Sequence, residues 1–399
     1  MTAGPLAGFR VLDFTANMSG PFATMILGDQ GADVIKVEPL SGDILRGLGC
    51  GALDVSSYFG NLNRSKRSLA LDLARPEARP VVEALLHEAD VVVQNYRPGV
   101  AAKLDLDATS VHAVNPAIVY AEITGFGSAG PYGGSPAYDH AIQALSGFAA
   151  RQALDGDEDV AMIRHGIIDK ITGQACAQAV TAALLERART GTGRAMQIRM
   201  LDVAVAVLWP DGMMSHTVLD PEFAQPSSAH TFRLTPTIDG HIAFILVTAV
   251  RLRRLAMALG LDGAGELPAI GPMRVGGAIL KAATARLSAM ATDEALTLLG
   301  SLEIPCAPVV RLEHLHEHPQ IVAGEVIDEF EHPVMGRIRQ ANPAVRFDGE
   351  RAGTLRPAPR TGQDGEEVLR EAGLGPDAIA DLRAAGVLGV RGPAGVRAP

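Results

Sequence analysis

The opening of the chain constrains its fold most. Two short apolar runs, residues 10–14 (RVLDF) and 33–37 (DVIKV), flank a stretch that reads as a helix. Residues 15–20 form a turn, Pro21 suits a first helical position, and residues 22–30 continue until Gly31 stops the helix. Strand, helix and strand at this spacing predict a parallel sheet covered by helices. The alternation continues, with a helix over 77–88, strands over 90–94 and 117–124, helices over 138–149 and 169–189, and a strand over 195–200.

At 399 residues the chain exceeds one ordinary hydrophobic core, so two domains are expected. Periodicity fails over 211–236, where Pro, Ser, His and Met accumulate as in a linker. A smaller segment follows, with a strand over 241–247 and helices over 251–259 and 292–299. From about Ile321 apolar strands need a sheet to join, which implies a return to the first domain before a terminal helix over 366–372. The expected division is 1–222, 223–324 and 325–399.

Composition excludes several classes of partner. A net charge of −10 without basic, aromatic-interleaved runs argues against nucleic acid. Three scattered cysteines, Cys50, Cys176 and Cys306, form neither a disulfide framework nor a metal pair. There is no signal-peptide pattern and no apolar run of the roughly 18 residues that a membrane helix needs, so a cytoplasmic location is expected.

Several motifs invite chemistry. Glu38, ending the second strand, suggests a dinucleotide ribose, but the turn Ala16-Asn17-Met18-Ser19-Gly20-Pro21 lacks the glycines that admit a pyrophosphate. His314, His316 and His318, with Glu313 and Glu317, do not share a helix face, so no metal site is read there, and His112 stands alone. The cations of residues 63–68 (NRSKRS), with Asn95-Tyr96-Arg97 and Lys103, suit phosphates and a purine, because guanidinium forks phosphate and stacks on aromatic faces. Asp169 stands between Ile167-Ile168 and an alanine-rich helix. A helix N-terminus would keep its carboxylate ionised as a nucleophile or base; an N-cap is the structural alternative.

Together these stretches resemble family III CoA-transferases, the CaiB/BaiF-like enzymes that include formyl-CoA transferase and share a fold with α-methylacyl-CoA racemase. The resemblance runs through residues 8–14 (GFRVLDF), Gly20-Pro21, 31–39 (GADVIKVEP), 63–73 (NRSKRSLALDL), 90–99 (DVVVQNYRPG), Tyr138-Asp139-His140, Asp169-Lys170, Gly191-Thr192-Gly193 and 304–309 (IPCAPV). It implies a Rossmann-like large domain made from both chain ends, a small α/β domain between them, and an interlocked homodimer. It implies Asp169 as the nucleophile, passing CoA from an acyl-CoA to a carboxylic acid through anhydride and aspartyl-CoA thioester intermediates. CoA would lie against Asn17, Met18, Pro39, Leu71, Asn95, Tyr96, Arg97, Lys103, Leu104, Tyr138 and Met200, as a substrate and not a resident cofactor. The racemase branch would need a histidine where Tyr138 stands, and tyrosine's pKa near 10 makes it a poor base. Residues 224–230 lack the family's mobile-loop glycines, and 250–254 lack its aromatic residue, which motivates a CoA-binding protein without turnover as the other alternative.

Overall fold

The computed structural model describes residues 4–153, 160–223, 232–246, 248–263, 265, 277–352 and 355–389. The glycine-poor stretch 224–230 lies outside them. Two compact units are present. One takes most of the chain up to Met213 and resumes at Val326; the other runs from Met214 to Glu325.

The first unit is built on a six-stranded sheet: β1 (Arg10–Phe14), β2 (Asp33–Glu38), β3 (Lys66–Ala70), β4 (Val91–Gln94), β5 (Val119–Thr124) and β6 (Ala195–Arg199). The spatial order is β3-β2-β1-β4-β5-β6, and every pairing is parallel. Such strands are covered on both faces, which is why they read as continuous apolar runs. One face carries α1 (Ser19–Asp29), the long α4 (Ile167–Thr190) and α5 (Met200–Gly212), burying Ala23, Leu27, Val180 and Ala204. The other carries α2 (Arg79–His87) and the terminal helices α9 (Gly365–Glu371) and α10 (Pro376–Ala384), burying Leu85, Val368 and Leu382. The strand order reverses between β1 and β4, so their carboxyl ends open a crevice of the kind in which open α/β sheets hold ligands.

Three expectations are corrected. The helix after β1 starts at Ser19, two residues before Pro21. Proline in the first turn forfeits only an N–H that has no intrahelical partner. The cation-rich stretch 63–68 is not a phosphate loop, because its second half is the edge strand β3 and its charges are consumed internally. Arg64 forks Asp29, Lys66 reaches Asp13 at 2.9 Å, and Arg67 binds Asp33 and Glu371. The strands after Ile321 also do not join the parallel sheet. The hairpin of β10 (Ile327–His332) and β11 (Gly336–Ala341) is its own antiparallel pair, pinned on its exposed side by Arg337 and Arg339 on Glu329. The chain is back in the first unit from Val326 onward, and beyond the hairpin α9 and α10 cover the sheet's second face. Val387 C=O accepts from Asp72 N–H, and the Gly389 N–H donates to Ala70 C=O.

The second unit contains a small antiparallel sheet, in the order β9-β8-β7: β7 (Thr235–Pro236), β8 (His241–Phe244) and β9 (Cys306–Pro308). Helices α6 (Ala249–Ala258), α7 (Gly277–Ser288) and α8 (Thr292–Ser301) cover it, around Ile242, Leu252, Leu255, Leu287 and Leu299. His314 pairs with Glu317 in this unit. Among the described residues no cluster of three or more His, Cys, Asp or Glu side chains is arranged to hold a metal. No described helix is long and apolar enough to cross a membrane.

Candidate active site

A cleft opens at the carboxyl edge of the first unit's sheet, at the reversal between β1 and β4. Asn17, Ser19, Asn95, Tyr96, Arg97, Tyr138, Asp169 and Met200 line it. Two loops diverge here, and one side chain clasps them together. Asn95 Nδ2 donates to Ala16 C=O at 2.8 Å and its Oδ1 accepts from the Ala16 N–H at 2.9 Å, extending the β1–β4 ladder beyond its last backbone pair. Asn17 can then take its left-handed φ of 64°, which asparagine tolerates better than most residues.

Beneath the turn lies a buried ionic network. Lys66 donates to Asp13 at 2.9 Å, to Pro21 C=O at 2.9 Å and to Asn63 at 2.8 Å. Lys36 donates to Thr15 C=O at 2.8 Å and pairs with Asp43 at 2.9 Å. Thr15 and Thr24 donate their hydroxyls to Asp13. Burial acts to raise the Asp13 carboxyl, but Lys66 and Lys36 hold it far below the carboxylate range; burial pushes Lys66 down to about 8. Each backbone carbonyl that these lysines hold belongs to the stretch 15–21, so the network fixes the turn that presents Asn17 and Ser19.

Asp169 is not an N-cap. Gly166 holds that position, and Asp169 is the third residue of α4. Its own N–H donates to Asp139 Oδ2 at 3.0 Å. Asp139, buried in the first turn of α3 (Asp139–Leu145), accepts from Gln143 at 2.5 Å, and Gln143 also holds Ile163 and His165 through their backbones. The Asp169 carboxylate accepts from the Ser19 hydroxyl on Oδ1. Its Oδ2 lies beside Gly166, 3.6 Å from where a Cβ on that residue would stand. Burial raises this carboxyl above its ordinary range; Ser19 opposes the rise, Asp139's charge adds to it, and His140 and Lys170 pull it back. The direction is opposite to the one expected from a helix N-terminus, because the group is partly desolvated beside a second carboxylate.

The close approach of α1 explains how Ser19 reaches Asp169. Gly173, one turn further along α4, faces Ser19's backbone. A Cβ there would stand 2.7 Å from Ser19 C=O and 3.0 Å from the Phe22 ring. Gly20 is equally constrained, since its Cβ would meet Thr15 at 2.3 Å. These two glycines let the turn and the helix close on the carboxylate.

Of the remaining candidates, Met18 packs against Gly166 beside Asp169, and the others do not line this cleft. Met18 is buried, its sulfur packed where a Gly166 side chain would be, and Pro39 is exposed at the end of β2. Leu71 is a core residue, 1% exposed and bridged to Leu388, so packing accounts for its apolar character. Lys103 and Leu104 line a separate groove with Arg75 and Arg79. Sequence reasoning passed over Ser19, Gln143 and Tyr58. The phenol of Tyr58 is raised by burial and, further, by the charges of Asp169 and Asp139. The i, i+4 spacing of Asp139 and Gln143 was the available signal for a shared helix face.

Comparison with known proteins is consistent along the chain. The family model for CoA-transferase family III matches residues 6–365. The succinyl-CoA:glutarate CoA-transferase of Mus musculus is 31% identical over 92% of this chain and 86% of its own. The formyl-CoA:oxalate CoA-transferase of Streptomyces coelicolor is 30% identical over 97% of this chain and 100% of its own. Among solved structures, a CAIB/BAIF family protein from Brucella suis superposes with a TM-score of 0.79 at 27% identity, covering 93% of this chain and 100% of that one.

Proposed function

The chain belongs to CoA-transferase family III, enzymes that move CoA between acyl-CoA thioesters and carboxylic acids, and on that premise we propose that Asp169 is the nucleophile. The observation that carries this reading is the position of the Asp169 carboxylate. It lines the cleft at the sheet's reversal, held by a hydroxyl on Oδ1, with Oδ2 beside a residue that has no side chain.

The proposed chemistry runs through covalent intermediates on that carboxylate. Carboxylate oxygen attacks the thioester carbonyl; the C–S bond breaks, giving a mixed anhydride and CoA thiolate. The thiolate attacks the aspartyl carbonyl, the first acid leaves as carboxylate, and an aspartyl-CoA thioester remains. An incoming carboxylate reverses the sequence and departs as the new acyl-CoA. Covalent catalysis keeps the thioester's activation throughout, so no nucleotide is needed. A carboxylate whose pKa is raised by burial is a stronger nucleophile than a solvated one.

In this reading CoA crosses the cleft past Asn17, Asn95, Tyr96, Tyr138 and Met200. Arg97 in the cleft and Lys103 in the separate groove are proposed to meet its phosphates. The homodimer belongs to the same reading; an apolar groove between α1, α4 and residues 341–347 supports it. Light scattering would measure the assembly. The decisive test is incubation with a panel of acyl-CoAs (succinyl, formyl and palmitoyl), then hydroxylamine. A mass change confined to the peptide holding Asp169 is expected; labelling elsewhere, or turnover surviving in Asp169→Ala, would end the proposal.

A further inference from the structure

We propose that Ser19 is a catalytic residue whose hydroxyl stabilises the oxyanion formed at Asp169's own carbonyl carbon. The assignment rests on the nucleophile reading above and extends it to the steps in which the enzyme's carboxyl carbon, not the substrate's, is attacked. Three observations carry it.

The first is contact: the Ser19 hydroxyl donates directly to Asp169 Oδ1. A carboxylate oxygen that is not the bridging atom of the anhydride becomes the carbonyl oxygen of both anhydride and thioester. It therefore carries the negative charge whenever that carbon turns tetrahedral. The second is placement. Ser19 lines the cleft together with Asp169, yet it is only 4% exposed, so its donor is withheld from bulk water. The third is rigidity. Ser19 opens α1 between Thr15 and Pro21, whose carbonyls Lys36 and Lys66 hold, and its backbone is pressed on Gly173 of the helix that bears Asp169. A donor fixed before the charge develops costs no reorganisation in the transition state.

The step balances without a proton transfer. CoA thiolate adds to the Asp169 carbonyl carbon of the anhydride; the C–S bond forms, the C=O electron pair moves onto Oδ1, and Ser19 O–H donates to it. The pair then returns, the C–O bond to the bridging oxygen breaks, and the first acid leaves as carboxylate. The return half-reaction runs the same way, with carboxylate adding and CoA thiolate leaving.

The test compares wild type, Ser19→Ala and Ser19→Thr with the same three acyl-CoAs. Rapid quenching and mass spectrometry follow CoA appearing on the Asp169 peptide, and calorimetry measures CoA affinity. Loss of one oxyanion donor should slow adduct formation about 10²-fold in Ser19→Ala. CoA affinity should stay within about twofold, and Ser19→Thr should recover most of the rate. The acid limb of the rate profile should also move to higher pH in Ser19→Ala, since its hydroxyl favours the ionised Asp169. Adduct formation at the wild-type rate in Ser19→Ala overturns the proposal. So does a slow variant whose CoA affinity falls in parallel and which threonine does not rescue. If the wild-type chain acquires no adduct from any of the three thioesters, the nucleophile reading falls and Ser19's role falls with it.

Discussion

Asp13 and Asp169 are both withdrawn from solvent in the same unit, and their environments drive them in opposite directions. Asp13 is fully enclosed, yet two lysines and two threonine hydroxyls hold its charge, and its carboxyl lies far below the usual range. Asp169 is only partly enclosed, but it has one hydroxyl and a neighbouring carboxylate, and its carboxyl rises. Burial does not decide what a carboxylate does; the partners arranged around it do. A fully satisfied aspartate fixes the turn. On the proposed mechanism, the one beside a second carboxylate is the one that reacts.

The sharpest way to break this contrast is to remove each group in turn. On the proposed mechanism, replacing Asp169 with Ala should lower turnover by about 10⁴-fold or more, with no loss in melting temperature. A raised carboxyl favours the native state only as it takes up a proton, so at neutral pH its removal relieves a cost. A clear drop in melting temperature would show that Asp169 is structural.

Asp13→Asn should do the reverse. It leaves Lys66 and Lys36 buried without their shared counter-charge and should cost about 3–5 kcal/mol in urea unfolding. Asp13 has a depressed carboxyl, so its contribution is full above the unfolded-state carboxylate pKa and is lost as pH falls through the folded value. Unfolding curves of wild type and variant should therefore converge in acid. Parallel curves across that range would contradict the pairing.

Gly173→Ala probes the link between the two regions, since its Cβ would meet Ser19 C=O at 2.7 Å. Overpacking of this kind costs about 1–3 kcal/mol, and turnover should fall by roughly tenfold as Ser19 is pushed from Asp169. Unchanged turnover would mean that helix spacing does not govern the site. The smallest effect concerns pH. Turnover should fall as Asp169 gains its proton, at a midpoint above the ordinary carboxylate range, and Asp139→Asn should lower that midpoint by removing a like charge. A midpoint that stays in place would exclude Asp139 as a cause.

Much of the sheet was legible because its strands are uninterrupted apolar runs bounded by turns. β1 coincides with the predicted run 10–14, and β2 extends the run 33–37 by one residue. β3 was not legible, because Lys66-Arg67-Ser68 reads as a solvated loop until Asp13 and Asp33 are found across the sheet. Asp169 could be singled out, since a carboxylate beside Ile167-Ile168 is conspicuous. Its register within the helix could not, because Asp139, the residue that takes its N–H, lies 30 positions earlier. Ser19 is harder still. A lone serine in a turn carries no periodicity, and its partner is 150 residues away.

The lysine-held turn has one more consequence. Conformational freedom in residues 15–21 is surrendered when the chain folds, not when a ligand arrives. Encounter with a thioester then immobilises little of the protein, and the entropic penalty of binding falls mainly on the flexible ligand.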